Sequence, residues 1–380
     1  MPLVQAPEFR STFVAWLREN RARLEPYRAY RPGAIEDVFA HDHGLRLLLA
    51  EESWLLYGWP EEAGGRGGDA LLRAILYDEL IGAGYVIPEA VNVLETIGPM
   101  LCTYAPHLAR DELRAFAAGE RMWCQGFSEP DAGSDMASIR TRAVPAGDTF
   151  RINGQKTWVS FGHLAHGCGL LVRTGDTESR HRGLSILWVD MSLPGVTVRP
   201  IRAASGRHEF AELFFDDVVV PRDALVGELN GGWAVAMHLL QFERGMYGWI
   251  RQAWLHRRLE EAIASGSPAG PASPETVADA YLAALSLRLR CRSTVGRLAA
   301  GAFLGPEISV DKLLLSAAEQ EVQDAARAVL GPAFVLDDSP AAQGWRSEWF
   351  YSRATSIYGG AAEVQRDIVA EHLLGLPKGR

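Results

Sequence analysis

At 380 residues, with 48% hydrophobic and 22% charged side chains, the chain has the length of about two or three domains and the composition of an ordinary globular protein. A formal net charge of −9 excludes the basic surface that a nucleic acid or an anionic membrane would require. The N-terminal "MPLVQAPEFRSTFVAWLREN" lacks an apolar core suited to a signal peptide, and no stretch nears the roughly 18 uninterrupted apolar residues of a membrane span.

The first 121 residues read as helices. "FRSTFVAWLRENRARL" places Phe13, Leu17 and Leu24 on one face, and "ALLRAILYDELIGAG" is a second amphipathic run. Between them "GWPEEAGGRGG" reads as a loop, because no strand precedes it and no Lys-Ser/Thr follows. From residue 122 to about 224 the character changes to short apolar runs split by turn residues. "TFRINGQKTWVS" has the form strand, Asn153-Gly154, strand, which predicts a hairpin at that pair. "GCGLLVRT", "GLSILWVDM", "GVTVRPI" and "ELFFDDVVVP" continue the pattern, so the middle of the chain is predicted to be a β-barrel or sandwich. Residues 225–380 return to helices, expected at 229–265, 274–302, 307–331 and 344–374, with "SGSPAGPASPE" as the loop between the first two. Four such helices make a bundle. The fold class is therefore mainly α with a central β domain.

Metal chemistry has little support. "HDH" at 41–43 offers two imidazoles without a third ligand at useful spacing, and His163 and His166 are equally isolated. The four cysteines, Cys102, Cys124, Cys168 and Cys291, form no CxxC pair, and reduced thiols in a cytoplasmic protein are the expectation. The densest polar cluster is "WCQGFSEPDAGSDMAS", residues 123–138. Such a loop exposes N–H groups and small hydroxyls in a rigid shape, which suits a flat ligand with many hydrogen bonds; an elaborate Asx/ST turn is the structural alternative. Near the C-terminus, Gly359 and Gly360 in "SIYGGAAEVQRD" stand ahead of a periodic helix, where glycine admits close approach to the backbone.

Together these segments resemble the acyl-CoA dehydrogenase family. "CQGFSEPDAGSD" is similar to its first signature, "INGQKTWVSFG" to its flavin-contacting strand, and "FERG" and "IYGGAAEVQRDIVAEHLLGLP" to its C-terminal patterns, in family order over nearly the whole chain. The resemblance implies FAD as cofactor, an acyl-CoA substrate, and an electron-transfer flavoprotein or similar acceptor. It also implies that Gln125, Phe127 and Ser128 contact the flavin ring, that Trp158 and Ser160 flank it, and that Ser134 meets the thioester or pantetheine end of the substrate. The start of the C-terminal helix would line the acyl pocket.

The reaction implied is removal of an α-proton by a carboxylate, with the enolate stabilised by hydrogen bonds, and hydride transfer from the β-carbon to flavin N5. Many members carry that carboxylate where this chain has Gly359, which cannot act as a base. A minority branch, with isovaleryl- and long-chain-type enzymes, places a glutamate on the first bundle helix, and the matching residue is Glu243. The resemblance thus implies Glu243 as base, with Gly359 and Gly360 giving the thioester room and a backbone donor; a salt bridge to Arg244 is the structural alternative for Glu243.

Two departures bear on the cofactor. The usual Gly-Thr-Ser is Gly360-Ala361-Ala362, and the Arg-x-x-Phe-Gly motif that grips the FAD diphosphate across a subunit interface is missing. Arg251, Arg257 or Arg258 are candidates to replace it. Some bacterial branches form α2β2 assemblies in which one subunit has lost part of its site. A homo-oligomeric enzyme, an active half of a heterotetramer, and a catalytically reduced partner subunit are accordingly the readings carried forward.

Overall fold

The computed structural model describes residues 5–28, 33–265 and 273–378. Helix α1 (Ala6–Glu19) buries Phe9, Phe13, Trp16 and Leu17, and after Asn20 the short α2 (Arg21–Leu24) buries Leu24, so the expected apolar face forms across a break. α3 (Ile35–Glu51), α4 (Ala70–Gly82), α5 (Glu89–Tyr104) and α6 (Pro106–Ala117) complete the N-terminal set. α4 opens on Asp69, whose side chain accepts the Leu71 N–H at 2.8 Å and so satisfies one of the helix's first amides. Residues 58–68 form the expected loop, with a single 3₁₀ turn at Glu61–Ala63.

Eight strands follow: β1 (Trp123–Gly126), β2 (Arg142–Ala146), β3 (Thr149–Ser160), β4 (Gly167–Arg173), β5 (Leu184–Asp190), β6 (Val196–Ile201), β7 (Phe210–Pro221) and β8 (Leu225–Val226). Their order is β6-β7-β3-β2-β4-β5-β8, with β1 added parallel to β4. β2 meets β4 at one registered pair, Arg142–Arg173. The sheet thereby divides into two halves, and Phe150, Ile152, Leu213 and Phe215 from one share a core with Leu170, Val172 and Leu187 from the other.

The hairpin predicted at Asn153-Gly154 is a correction. β3 runs unbroken through that pair, and its turn lies earlier, at Gly147-Asp148, closing β2 onto β3. Asn153 and Gly154 instead form an irregularity in the β3–β7 ladder. The Asn153 amide donates to Asp217 Oδ1 and accepts the Asp217 N–H, both at 2.9 Å, so its turn-forming groups are engaged across the sheet.

The C-terminal region holds α7 (Gly232–Ser265), α8 (Pro274–Ala299) and α9 (Ile308–Leu330), close to the expected helices. Most of the predicted loop after α7 lies outside the described residues. The fourth predicted helix is not continuous. After a short α10 (Ala333–Leu336), its span divides into α11 (Pro340–Ser352), a 3₁₀ turn (Arg353–Ser356), a turn carrying both glycines, and α12 (Ala362–Ile368), which runs on into a π-turn (Val369–Leu373). Gly359 and Gly360 have φ of +63° and +100°, outside helical space, and that is what breaks the periodic pattern.

α7 joins the parts. Its Met246, Ile250 and Trp254 belong to the N-terminal helical core, while Val235, Ala236 and Leu239 pack with α5, α6 and the sheet. Leu255 and Leu259 pack against α8 and α9. Glu243 therefore lies where all three regions meet. No helix among the described residues is long and apolar enough to cross a membrane.

Asp42 on α3 is 7% exposed, and its Oδ2 accepts the Glu89 N–H at 3.1 Å. Burial pushes its carboxyl up to about 7, against that hydrogen bond and the nearby Arg207 and Arg46. A carboxyl raised on folding favours the native state below its unfolded pKa, and this contribution is lost as pH rises through about 7. Asp42→Asn should therefore stabilise the protein by roughly 1–2 kcal/mol at pH 8 and not at pH 4, read by urea denaturation at the two pH values.

Candidate active site

The glycine turn and α7 meet at one carboxylate. Glu243 Oε1 lies 2.8 Å from the position that a Cβ on Gly359 would occupy, and Gln125 Nε2 donates to Oε2 at 3.4 Å. Three expected site residues, separated by more than a hundred positions in sequence, thus converge. Arg244, the alternative partner for the carboxylate, turns its Nε to the Gly359 carbonyl at 3.3 Å. Burial lowers its guanidinium pKa, and the Glu243 charge opposes that shift.

A second cation lies beneath the turn. Lys312 on α9 is 2% exposed, and its Nζ donates to the Thr355 carbonyl and, at 3.4 Å, to Ser316 Oγ. The ammonium also sits 4.4 Å from the centre of the Tyr358 ring. Burial pulls its pKa down to about 8, opposed by Glu243 and Glu319. Further in, the Tyr247 and Tyr358 hydroxyls are 3.3 Å apart, and Arg251 holds Glu319 in a bidentate pair at 2.5 and 3.0 Å.

The polar loop after β1 is organised by a different buried pair. Glu129 accepts the Arg140 and Thr141 N–H groups at 2.6 and 2.9 Å and Lys156 Nζ at 2.8 Å. Lys156 is 0% exposed and also donates to the Phe127 carbonyl at 3.0 Å. Burial pushes the Glu129 carboxyl up, but Lys156 and the two amides outweigh it and hold the group below its usual range. Burial lowers Lys156 to about 8, with Glu129 opposing. The loop is thus folded around its first acidic residue by a lysine from β3, and the Thr157 N–H to Ser128 carbonyl bond at 2.9 Å fixes it to that strand.

That bond brings Trp158 beside Ser128. Trp158 is 61% exposed, with φ of +57°, at an irregularity in the β3–β7 ladder between Lys156 and Val159. A bulky side chain in left-handed backbone, presented to solvent, is costly unless something covers it. Its indole meets Phe210 edge-on at 6.0 Å, and Ser160, also exposed, pairs with Phe210 in the ladder. Phe127 is buried, with its carbonyl held by Lys156, while Ser134 stays on the exposed outer part of the loop. An uncovered indole beside a rigid loop edge, with a carboxylate reached through Gln125, fits the flat ring of a flavin.

The arginines considered for the FAD diphosphate are otherwise engaged. Arg251 binds Glu319; Arg257 binds Glu261 and the Tyr85 and Arg28 carbonyls; Arg258 binds Glu261 and Glu348 and stacks on Trp345. All three guanidinium groups are thus held by partners within their own chain. α12 begins at Ala362 after Ala361 with no side-chain cap, the local consequence of the missing hydroxyls. Sequence reasoning missed Lys156 and Lys312. The signal for Lys156 was its position among inward-facing residues of β3; Lys312 offers the same clue, a lysine at a buried position of α9.

Comparison with known proteins gives the same picture. Residues 124–218 match the family model of the acyl-CoA dehydrogenase middle domain, and residues 230–374 that of the C-terminal domain. The chain is 36% identical to acyl-CoA dehydrogenase IpdE1 of Mycobacterium tuberculosis, over 98% of each chain. Among solved structures it is similar to the Tcur3481-Tcur3483 steroid ACAD, with a TM-score of 0.82 and 26% identity over 100% of both chains. It is also similar to the ChsE4-ChsE5 complex of Mycobacterium tuberculosis, with a TM-score of 0.78 and 27% identity over 100% of this chain and 99% of that one.

Replacing Lys156 with Met would leave Glu129 buried without its cation. Lys156→Met is expected to cost about 3–5 kcal/mol in chemical denaturation, a larger loss than Lys156→Arg, which keeps the charge.

Proposed function

Because the chain belongs to the acyl-CoA dehydrogenase family, and is an oxidoreductase acting on acyl-CoA, we propose that Glu243 is the base that removes the α-proton as an acyl-CoA thioester becomes a 2-enoyl-CoA. The observation that carries this reading is steric. Glu243 Oε1 lies 2.8 Å from the position of a Cβ at 359, so a side chain there would push the carboxylate aside. The chain has the glutamate in one place and glycine in the other.

Each remaining residue has a part that follows from its position. The Gln125 amide holds Glu243 Oε2 and so limits rotation of the carboxylate. Gly359 is held through its carbonyl by Arg244, and its N–H is our choice of donor to the thioester oxygen, where charge develops as the α-proton leaves. Gly360 keeps the approach open. Ser134 is assigned to the pantetheine end. Gln125, Phe127, Ser128, Trp158 and Ser160 would hold the flavin ring. FAD, when bound, supplies the acceptor for the β-hydrogen as hydride.

A second reading is favoured by specific observations: Arg251, Arg257 and Arg258 are tied within the chain, and α12 lacks a capping hydroxyl. Both suit a subunit that completes its FAD site with a homologous partner in a heterotetramer. The similar ACAD structures are named as two-component complexes. A ring-bearing acyl-CoA is our first choice of substrate, since one of those complexes is a steroid enzyme by name. An electron-transfer flavoprotein or similar carrier would reoxidise the cofactor, and four free cysteines fit a cytoplasmic setting.

Glu243→Gln should retain FAD and lose anaerobic flavin bleaching by acyl-CoA by at least about a hundredfold; undiminished bleaching would remove Glu243 as base. Gly359→Ala should cost on the order of a hundredfold in kcat, because the new methyl displaces the carboxylate and strains the turn. A protein purified alone that is colourless, and that gains flavin only when co-expressed with a homologue, would establish the heteromeric form.

A further inference from the structure

The two residues that meet at the carboxylate each bring a tyrosine with them. Tyr247 lies one helical turn beyond Glu243 on the same face of α7, and Tyr358 immediately precedes Gly359. The hydroxyls of these tyrosines are 3.3 Å apart. Tyr351 of α11 packs its ring 5.7 Å from that of Tyr358, and the Lys312 ammonium sits 4.4 Å from the centre of the same ring. Tyr358 is therefore fixed on two sides.

These phenols lie deep without being closed over. Burial pushes Tyr247 up to about 12 and raises Tyr351 and Tyr358 well above the ordinary phenol value, yet each keeps part of its surface accessible. Packing alone would be served as well by phenylalanine, which has no hydroxyl to desolvate. Glu89, at the start of α5, adds its charge to the burial that raises Tyr247 and Tyr351, and takes its own hydrogen bond from the Asn92 amide at 3.2 Å. All three phenols accordingly remain protonated at neutral pH. Two hydroxyls that share one hydrogen bond need only one of their protons for it, and the other has no acceptor among the described residues.

The direction from Glu243 to Tyr247 is also the one an acyl chain has to take. Before Glu243, Val235, Ala236 and Leu239 of α7 pack with the sheet, and Gln125 reaches the carboxylate from β1. After it, Leu255 and Leu259 enter the bundle core. Trp158 and Ser134, assigned above to flavin and pantetheine, belong to the sheet side. An acyl group with its α-carbon at Glu243 and its thioester toward that side sends its far end past Tyr247, about 6 Å along α7.

We propose that the Tyr247–Tyr358 pair is a specificity determinant that donates a hydrogen bond to a carbonyl oxygen on the far part of the acyl group. The substrate is then an oxygenated, ring-bearing acyl-CoA rather than a plain hydrocarbon one. This rests on the reading of Glu243 as base, which sets where the α-carbon lies. Tyr358 donates to Tyr247, and Tyr247 turns its own proton to the ligand.

The test uses two thioesters that differ by one oxygen: cyclohexylpropanoyl-CoA, and its counterpart with a ketone at the ring carbon opposite the chain. Anaerobic flavin reduction is followed in the FAD-loaded enzyme, with its partner subunit if one is required. The native enzyme should favour the ketone about tenfold in kcat/KM, the worth of one neutral hydrogen bond to a buried donor. The difference should lie in KM, since the carbonyl is held equally before and during proton abstraction. In Tyr247→Phe that ratio should fall to about one. Tyr358→Phe spares Tyr247 but removes the donor behind it, and should keep a reduced preference of about threefold.

Equal use of the two thioesters by the native enzyme, reaction with neither, or a ketone preference that survives Tyr247→Phe would overturn the proposal. Glu243→Gln keeps the two readings apart. If it reduces flavin undiminished, the base assignment fails, and the placing of the acyl group with it. An inactive Glu243→Gln beside a native enzyme indifferent to the ketone overturns the tyrosine role alone. An inactive Glu243→Gln that still binds the ketone about tenfold more tightly, read from the perturbed flavin absorbance, supports both.

Discussion

One steric relation marks this site: a carboxylate oxygen of Glu243 lies 2.8 Å from where any side chain at 359 would begin. The turn beside it has left-handed backbone, and α12 beyond the turn packs on α9. The turn is expensive for any residue but glycine, and two successive glycines make it accessible. Arg244 then holds the Gly359 carbonyl, and Lys312 holds the Thr355 carbonyl of the 3₁₀ turn just ahead of it.

The two halves of the site use one device. In each, a lysine with almost no exposure reaches a backbone carbonyl and places its charge near a glutamate: Lys156 with Phe127 and Glu129, Lys312 with Thr355 and Glu243. Buried charges are poor sources of stability by themselves, because desolvation offsets most of the attraction. They are effective at fixing irregular chain in one shape, since every alternative leaves a charge or an amide unpaired. The first pair fixes the loop that leads to Trp158, and the second fixes the turn that leads to Gly359.

Position in the fold gives the site its enclosure. α7 contributes to the core of the N-terminal helices, to the layer against the sheet and to the C-terminal bundle, and Glu243 stands on it between those contacts. A carboxylate there is surrounded by rigid elements from every region and fixed in orientation. Trp158 is the opposite case. It is held in strained backbone with its indole largely exposed.

Much of this was written in the sequence. The family resemblance pointed to Glu243 and Gly359. Apolar spacing gave α1, α4, α7, α8 and α9, and the short runs gave β4 to β7. These are properties of residues near one another in the chain, where periodicity and turn chemistry act. What failed there failed because a distant partner prevailed. Asn153-Gly154 has the composition of a hairpin turn, but Asp217 takes up its hydrogen bonds from across the sheet. Beside Arg251 and Arg258 stand Glu319 and Glu348, 68 and 90 positions away, which no local pattern announces. Lys156 and Lys312 drew no notice in the sequence, because only the fold closes over them. The sequence by itself determined which elements form and which residue types were on hand. Tertiary structure decided which charges meet, because contacts such as Gln125 to Glu243, 118 positions apart, exist through space and leave no local pattern to read.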